Sequence, residues 1–207
     1  MSGNHDHGAD VFDGMSDAYR RALWAVIVIN GGMFLFEMTA GITARSQALQ
    51  ADALDFFADS ATYGLSLFMI GQPLMWRARA ALFKGISLAA MGVWVLGSTI
   101  YNTMILGVPT AEIMGVVALM ALTANLASVV LLLKFRDGDA NVRSVWLCSR
   151  NDAFGNVAVL VAAGFVWQTQ TGWPDLIVAG IMASLFLYSA FQIIGQARAE
   201  IAHTTAY

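Results

Sequence analysis

Six apolar runs constrain this chain more than anything else in its sequence: Ala22 to Ala44, Leu49 to Ile70, Ala81 to Leu106, Ala111 to Phe135, Val145 to Gln168 and Leu176 to Ile194. Each holds about 20 residues or more, enough for a helix to cross the hydrocarbon core of a bilayer. Inside that core a segment must satisfy its own backbone hydrogen bonds, so such runs fold as α-helices. The fold class expected is therefore all-α, a polytopic membrane protein with six transmembrane helices. Composition agrees, with 58% hydrophobic and 12% charged residues and a mean hydropathy of +0.64. The division expected is a cytoplasmic acidic, His-containing tail over residues 1–20, a six-helix membrane domain over 21–197 and a short cytoplasmic tail over 198–207. The N-terminal "MSGNHDHGADVFDGMSDAYRR" is acidic and precedes a run longer than a signal-peptide core, so no cleaved targeting segment is expected. Cys148 is the only cysteine, which rules out an intrachain disulfide.

The basic residues alternate between loops. Arg20 and Arg21 precede the first run, Arg77, Arg79 and Lys84 fall between the second and third, Lys134, Arg136 and Arg143 between the fourth and fifth, and Arg198 after the sixth. The opposite loops hold "GVPTAE" and "TQTGWPD", with Arg45 the one basic residue on that side. The positive-inside rule then puts both termini in the cytoplasm, with the protein in the cytoplasmic (inner) membrane.

Against this background the stretch "ADALDFFADS" is costly. An ionised Asp at the bilayer centre costs about 2.5 to 3.5 kcal/mol on insertion scales. At 100° per residue Asp52, Asp55 and Asp59 share one face of the second helix, and Tyr63 and Ser66 continue the stripe. A cation or a watery cavity must meet them. Asp52 alone also fits as part of the helix start, and hydrogen bonding alone is the plainer reading of the other two.

The fifth run carries a matching stripe in "CSRNDAFGNVAVL". Cys148 and Asp152 lie one turn apart on one face, Gly155 falls beside them, and Asn151 and Asn156 flank the arc. The pairs Asp55/Asp59 and Cys148/Asp152 thus offer four O and S donors from two helices, a set that suits tetrahedral Zn²⁺ or Cd²⁺ better than Mg²⁺ or Ca²⁺. A cysteine in such a place is also commonly just a small hydrophobe. On the first run Asn30, Glu37 and Gly41 share a face, and the fourth adds Asn125. Glu37 reads as a proton-binding group, a partner for Arg150, or one half of an interhelical hydrogen bond. Arg150, near its helix start, can also reach back to the interface.

These residues resemble a known pattern. "NGGMFLFEMTAGITARSQALQADALDFFADSATYGLSL" is similar to the first two membrane helices of the cation diffusion facilitator family, "CSRNDAFGNVAVLVAAG" to its fifth and "GWPDLIVAGIMAS" to the start of its sixth. The resemblance runs through the whole chain in order. It implies a six-helix cation-diffusion-facilitator-like bundle that exports divalent transition metals, zinc most often, in exchange for protons. Carried over position by position, its midplane metal site falls on Asp55, Asp59, Cys148 and Asp152, with Asp52, Asn151, Asn156 and Glu37 as auxiliary candidates. Asp55 and Cys148 depart from the family's usual residues, which leaves the metal open between Zn²⁺ and Cd²⁺. The chain is also expected to be a short member that lacks the family's C-terminal cytoplasmic domain.

The function expected is therefore metal/proton antiport by alternating access, a secondary active transporter and not an enzyme, without a resident cofactor. Its partners are the divalent ion, protons, membrane lipid and a second copy. Dimerisation would rest on small residues such as Ala179, Ala183 and Ser184 of the sixth helix or Gly92 and Gly97 of the third. His5 and His7 in the acidic tail are weak candidates for metal capture, against the plainer reading of a solvated tail. The rival readings are a non-transporting membrane metal-binding scaffold or sensor, and an intramembrane metalloenzyme, for which no HExxH-like motif is present. Nucleic-acid recognition has no support in the sequence.

Overall fold

A computed structural model of the chain describes residues 16–69, 73–105, 107–137 and 140–205. His5 and His7 lie outside the described residues. Among those residues are six α-helices: α1 (Asp17–Ala44), α2 (Gln47–Met69), α3 (Leu74–Ile105), α4 (Ala111–Leu132), α5 (Ala140–Thr169) and α6 (Trp173–Thr205), with one 3-10 turn, Leu133–Phe135, after α4. Each expected run falls within one of these helices give or take its ends. The helices outrun the apolar residues at several ends: Arg79 and Lys84, expected in a loop, lie within α3, and α6 continues past Arg198.

α1, α3, α4 and α6 contain segments long and apolar enough to cross a membrane. α2 and α5, which carry the aspartate and cysteine stripes, are the more polar pair. The surface is rich in large apolar side chains, and carboxylates are among the buried residues. Phe191 is 80% exposed and Phe83 71%, while Glu37 and Asp52 are 0% and 1% exposed. That inversion suits a bundle whose solvent is lipid and whose polar side chains need partners within the protein.

Two groups of helices make the bundle. α1 packs on α2, α4 on α5, and α1 on α4, while α3 and α6 form a long pair that meets α2 and α5. Small residues permit that pairing. A Cβ on Gly85 would stand 2.7 Å from Ile194 Cγ1, and one on Gly92 would stand 2.8 Å from Leu187 Cγ. Ala179 and Ala183 of α6 are fully buried in the same core. These three expected dimer-contact residues, Gly92, Ala179 and Ala183, are therefore consumed by packing within the chain, because each helix needs a small face for its own neighbour. Gly97 and Ser184 remain exposed.

The α1–α2 connection is two residues long. Arg45 takes a left-handed conformation (φ 58°), and Ser46 N–H donates to Gly41 O at 2.9 Å, closing α1. The start of α2 is then capped from across the bundle. Buried Asp175, in the first turn of α6, accepts hydrogen bonds from Ser46 Oγ (2.5 Å), Gln47 N–H (2.7 Å) and Ala48 N–H (3.1 Å). Ser46 Oγ in turn accepts from Leu49 N–H at 3.0 Å. A carboxylate there satisfies orphan amides and meets the positive end of the α2 dipole. Thr110 N–H donates to Ala44 O at 3.0 Å, so α4 is tied to the same corner. Removing the carboxyl by Asp175→Ala should lower stability by about 2 kcal/mol or more, from the loss of charge-assisted bonds to buried amides. Thermal unfolding of the detergent-solubilised protein checks this, with Asp175→Asn expected to lie between the variant and the wild type.

Candidate metal centre

α2 and α5 run antiparallel, and their polar residues meet in rungs that descend on one helix as they rise on the other. At one end Asn156 Nδ2 donates to Asp52 Oδ2 at 2.7 Å, and Asn156 Oδ1 accepts from Asn125 Nδ2 of α4 at 2.8 Å. All three side chains are buried. In the middle, Asp55 and Asp59 both come against Asp152. At the other end the Tyr63 hydroxyl donates to Asp59 Oδ2 and stands 3.5 Å from Val145 O. From Asp52 to Tyr63 the seam runs about 16 Å along the helix at 1.5 Å per residue.

The carboxyl groups in the middle of this seam are incompletely satisfied. Asp152 Oδ2 is buried without a hydrogen-bond partner. Asp55 and Asp59 are half-buried. Cys148 is a free, exposed thiol that stands beside Tyr63 and within the fields of Asp59 and Asp55. Like charges so placed repel, and the nearest compensation comes from Lys84 on α3, whose charge acts on Asp55, Asp59 and Cys148. Lys84 is half-buried at a cavity of about 190 Å³ that it shares with Gln196 and Glu200 of α6. Among the described residues, no three His, Cys, Asp or Glu side chains are placed so that they could hold one ion as they stand. The structure thus brings Asp55, Asp59 and Asp152 onto one seam and leaves Cys148 at its exposed edge.

The auxiliary candidates divide. Asp52 and Asn156 bond to each other, and the buried carboxyl of Glu37 on α1 sits within hydrogen-bond reach of Asp52, with no N–H or hydroxyl donor of its own. Asn30, one face-repeat away on α1, is likewise buried with neither amide atom partnered. Asn151 points elsewhere: it is exposed, and its Oδ1 accepts from Arg150 at 3.4 Å. Arg150 is exposed too, with its guanidinium 5.4 Å from the Trp146 ring centroid, so it is not the partner of Glu37. Helix geometry explains this, because Asn151 and Arg150 project from the side of α5 away from α2.

Three contributors were not legible as such. Lys84 counted only as a loop charge, yet α3 begins early enough to bring it beside the carboxylates. Tyr63 was only the end of a stripe, although a phenol one turn after Asp59 is in reach of it. Asp175 follows Pro174 in a first helical turn, a signal for a helix start but not for a cap on another helix.

The Asp52–Asn156–Asn125 chain joins three helices through one buried carboxylate. In the Asn156→Ala variant Asp52 loses its donor, and stability should fall by about 1 to 3 kcal/mol. Asn156→Asp should be worse, since it sets two carboxylates face to face. Unfolding midpoints of the two variants against the wild type measure the difference.

Comparison with known proteins adds three findings. The cation efflux transmembrane domain matches residues 23–72 and 76–201. A metal cation efflux system protein, CzcD, of Cupriavidus metallidurans is 24% identical over 173 residues, covering 77% of this chain and 54% of that protein. A cation efflux system protein CzcD of an Alcaligenes species matches with the same identity and coverage. The chain thus spans about half the length of these curated relatives.

Proposed function

This chain belongs to the cation diffusion facilitator family, whose cation efflux transmembrane domain it carries, and from that premise we propose that it exports a divalent transition metal from the cytoplasm in exchange for protons. The observation that carries the reading is the seam between α2 and α5, where Asp55 and Asp59 face Asp152 and one Asp152 oxygen is buried without a partner. A cation entering there supplies the charge that the three carboxyl groups lack, and draws them toward a common centre. Cys148, at the edge of the seam, closes the set when its side chain turns inward. Three carboxylates and a thiolate fit Zn²⁺ first and Cd²⁺ next.

Protons and metal compete for these same groups. Loading from the cytoplasm expels protons, and protonation on the outer side weakens the donors and releases the ion. Rocking of helices about the seam gives alternating access. The α2 cap by Asp175 lies at the end of the bundle that the positive-inside rule assigns to the outer face, with both termini cytoplasmic and the protein in the cytoplasmic membrane. A membrane potential of 100 mV acts on each charge with about 2.3 kcal/mol, so exchange of one M²⁺ for two H⁺ is electrically neutral and exchange for one is opposed. A second copy is expected to pair through membrane helices, over surface that the α3–α6 pairing leaves free, such as the faces bearing Gly97 and Ser184.

Zn²⁺ flux into proteoliposomes under a pH gradient tests this. The wild type should transport, Asp59→Asn and Asp152→Asn should lose at least about 90% of the flux, and Cys148→Ala should keep a reduced Zn²⁺ flux while losing Cd²⁺ flux more strongly. Metal binding without flux in the wild type would instead support a membrane metal-binding scaffold or sensor.

A further inference from the structure

Tyr63 sits where a transport site has no obvious use for a phenol. Its ring is 1% exposed and packed with Leu23 and Val26 of α1, Leu132 of α4 and Val145 of α5. Four helices therefore hold it, and the ring has nowhere to swing. Its hydroxyl has one proton to donate. Val145 O stands at 3.5 Å, at the limit of a hydrogen bond, so the proton goes to Asp59 Oδ2.

That bond has a consequence for coordination. An oxygen that accepts a hydrogen bond from a fixed donor has a lone pair engaged and is turned toward the donor. Asp59 then offers an incoming ion chiefly its other oxygen. A one-oxygen carboxylate suits a small four-coordinate ion, whereas a larger ion such as Ca²⁺, which gathers up to about eight oxygens, readily takes a carboxylate through both oxygens. We propose that Tyr63 is a positioning residue that holds Asp59 to one-oxygen coordination and thereby sets the preference of the site for small four-coordinate ions over larger ions that take a carboxylate through both oxygens. This rests on the reading of Asp59 as a metal ligand. Both residues lie on α2 one turn apart, so the phenol keeps its hold on Asp59 however α2 stands against α5.

The test is titration of the purified full chain with Zn²⁺ and with Ca²⁺, an ion that takes about six to eight oxygen donors. Tyr63→Phe keeps the ring and removes only the donor. The ratio of Ca²⁺ to Zn²⁺ affinity should rise by about tenfold or more in this variant, the factor that one hydrogen bond to a charged group is worth. A merely structural role would weaken both ions alike, and an unchanged ratio overturns the proposal. Asp59→Asn, titrated in parallel, separates the two ideas. Zn²⁺ bound as tightly as by the wild type means that Asp59 is no ligand, and both fall. Loss of Zn²⁺ binding in Asp59→Asn together with an unchanged ratio in Tyr63→Phe overturns the Tyr63 proposal alone. Should the Phe variant fail to fold, the infrared carboxylate bands of zinc-loaded wild type minus Asp59→Asn decide: the wide band splitting of a one-oxygen carboxylate supports the proposal, and the narrow splitting of a two-oxygen one overturns it.

Discussion

Carboxylates inside a hydrocarbon-facing bundle are the constraint on which the rest of this structure depends. Asp52, Asp55, Asp59, Asp152 and Glu37 all lie on interhelical faces, in a protein whose lipid-facing surface is built of Phe, Trp, Leu, Ile and Val. Each must find a donor, a cation or a proton, because an uncompensated charge there costs several kcal/mol. The fold answers for some of them. Asp52 has Asn156, Asp59 has Tyr63, and at the far corner Asp175 has three donors from the start of α2. It leaves Asp152 Oδ2 on the α2–α5 seam without a donor. An incomplete account of charge on one seam is what a site for a passing cation requires, since a fully satisfied network would have nothing to offer the ion.

The supporting elements make that incompleteness tolerable. α2 is held at its start by Asp175 and Ser46, along its length by Ser60 Oγ donating to Ile27 O of α1 at 3.1 Å, and against α5 by the rungs at either end of the carboxyl cluster. Gly41 brings α1 against the first turn of α2, where a Cβ would stand 3.1 Å from Gln50 N and Leu49 Cβ. With α2 held in this way, Asp55, Asp59 and Asp152 stay close together despite their repulsion. That repulsion is moderated by Lys84, a tethered cation on α3 that a divalent ion would outmatch.

Much of this was legible in the sequence, and for definite reasons. Apolar runs of membrane length specify helices because lipid allows little else, so all six were found with errors only at their ends. The errors share a cause: charged residues such as Arg79, Lys84 and Arg198 can extend a helix beyond the hydrocarbon, where hydropathy no longer reports on it. The face shared by Asp52, Asp55 and Asp59 followed from the helical period. Which helix each face meets did not, because periodicity says nothing about neighbours. Hence Gly92, Ala179 and Ala183 read as surface for a second copy and proved to be buried within the chain, Gly92 against Leu187 and Ala183 of α6, and of the readings open for Glu37 the pairing with Arg150 proved absent. Asn151 and Asn156 both looked adjacent to the site, and only the packing of α5 on α2 and α4 separates the buried one from the exposed one.

The most direct measurement is the anomalous scattering of zinc in crystals of the metal-loaded protein. One strong peak between α2 and α5, with carboxyl oxygens of Asp55, Asp59 and Asp152 at about 2.0 to 2.2 Å, is the result predicted. A peak confined to Glu37 and Asp52, or to the outer surface with the α2–α5 seam empty, would contradict it.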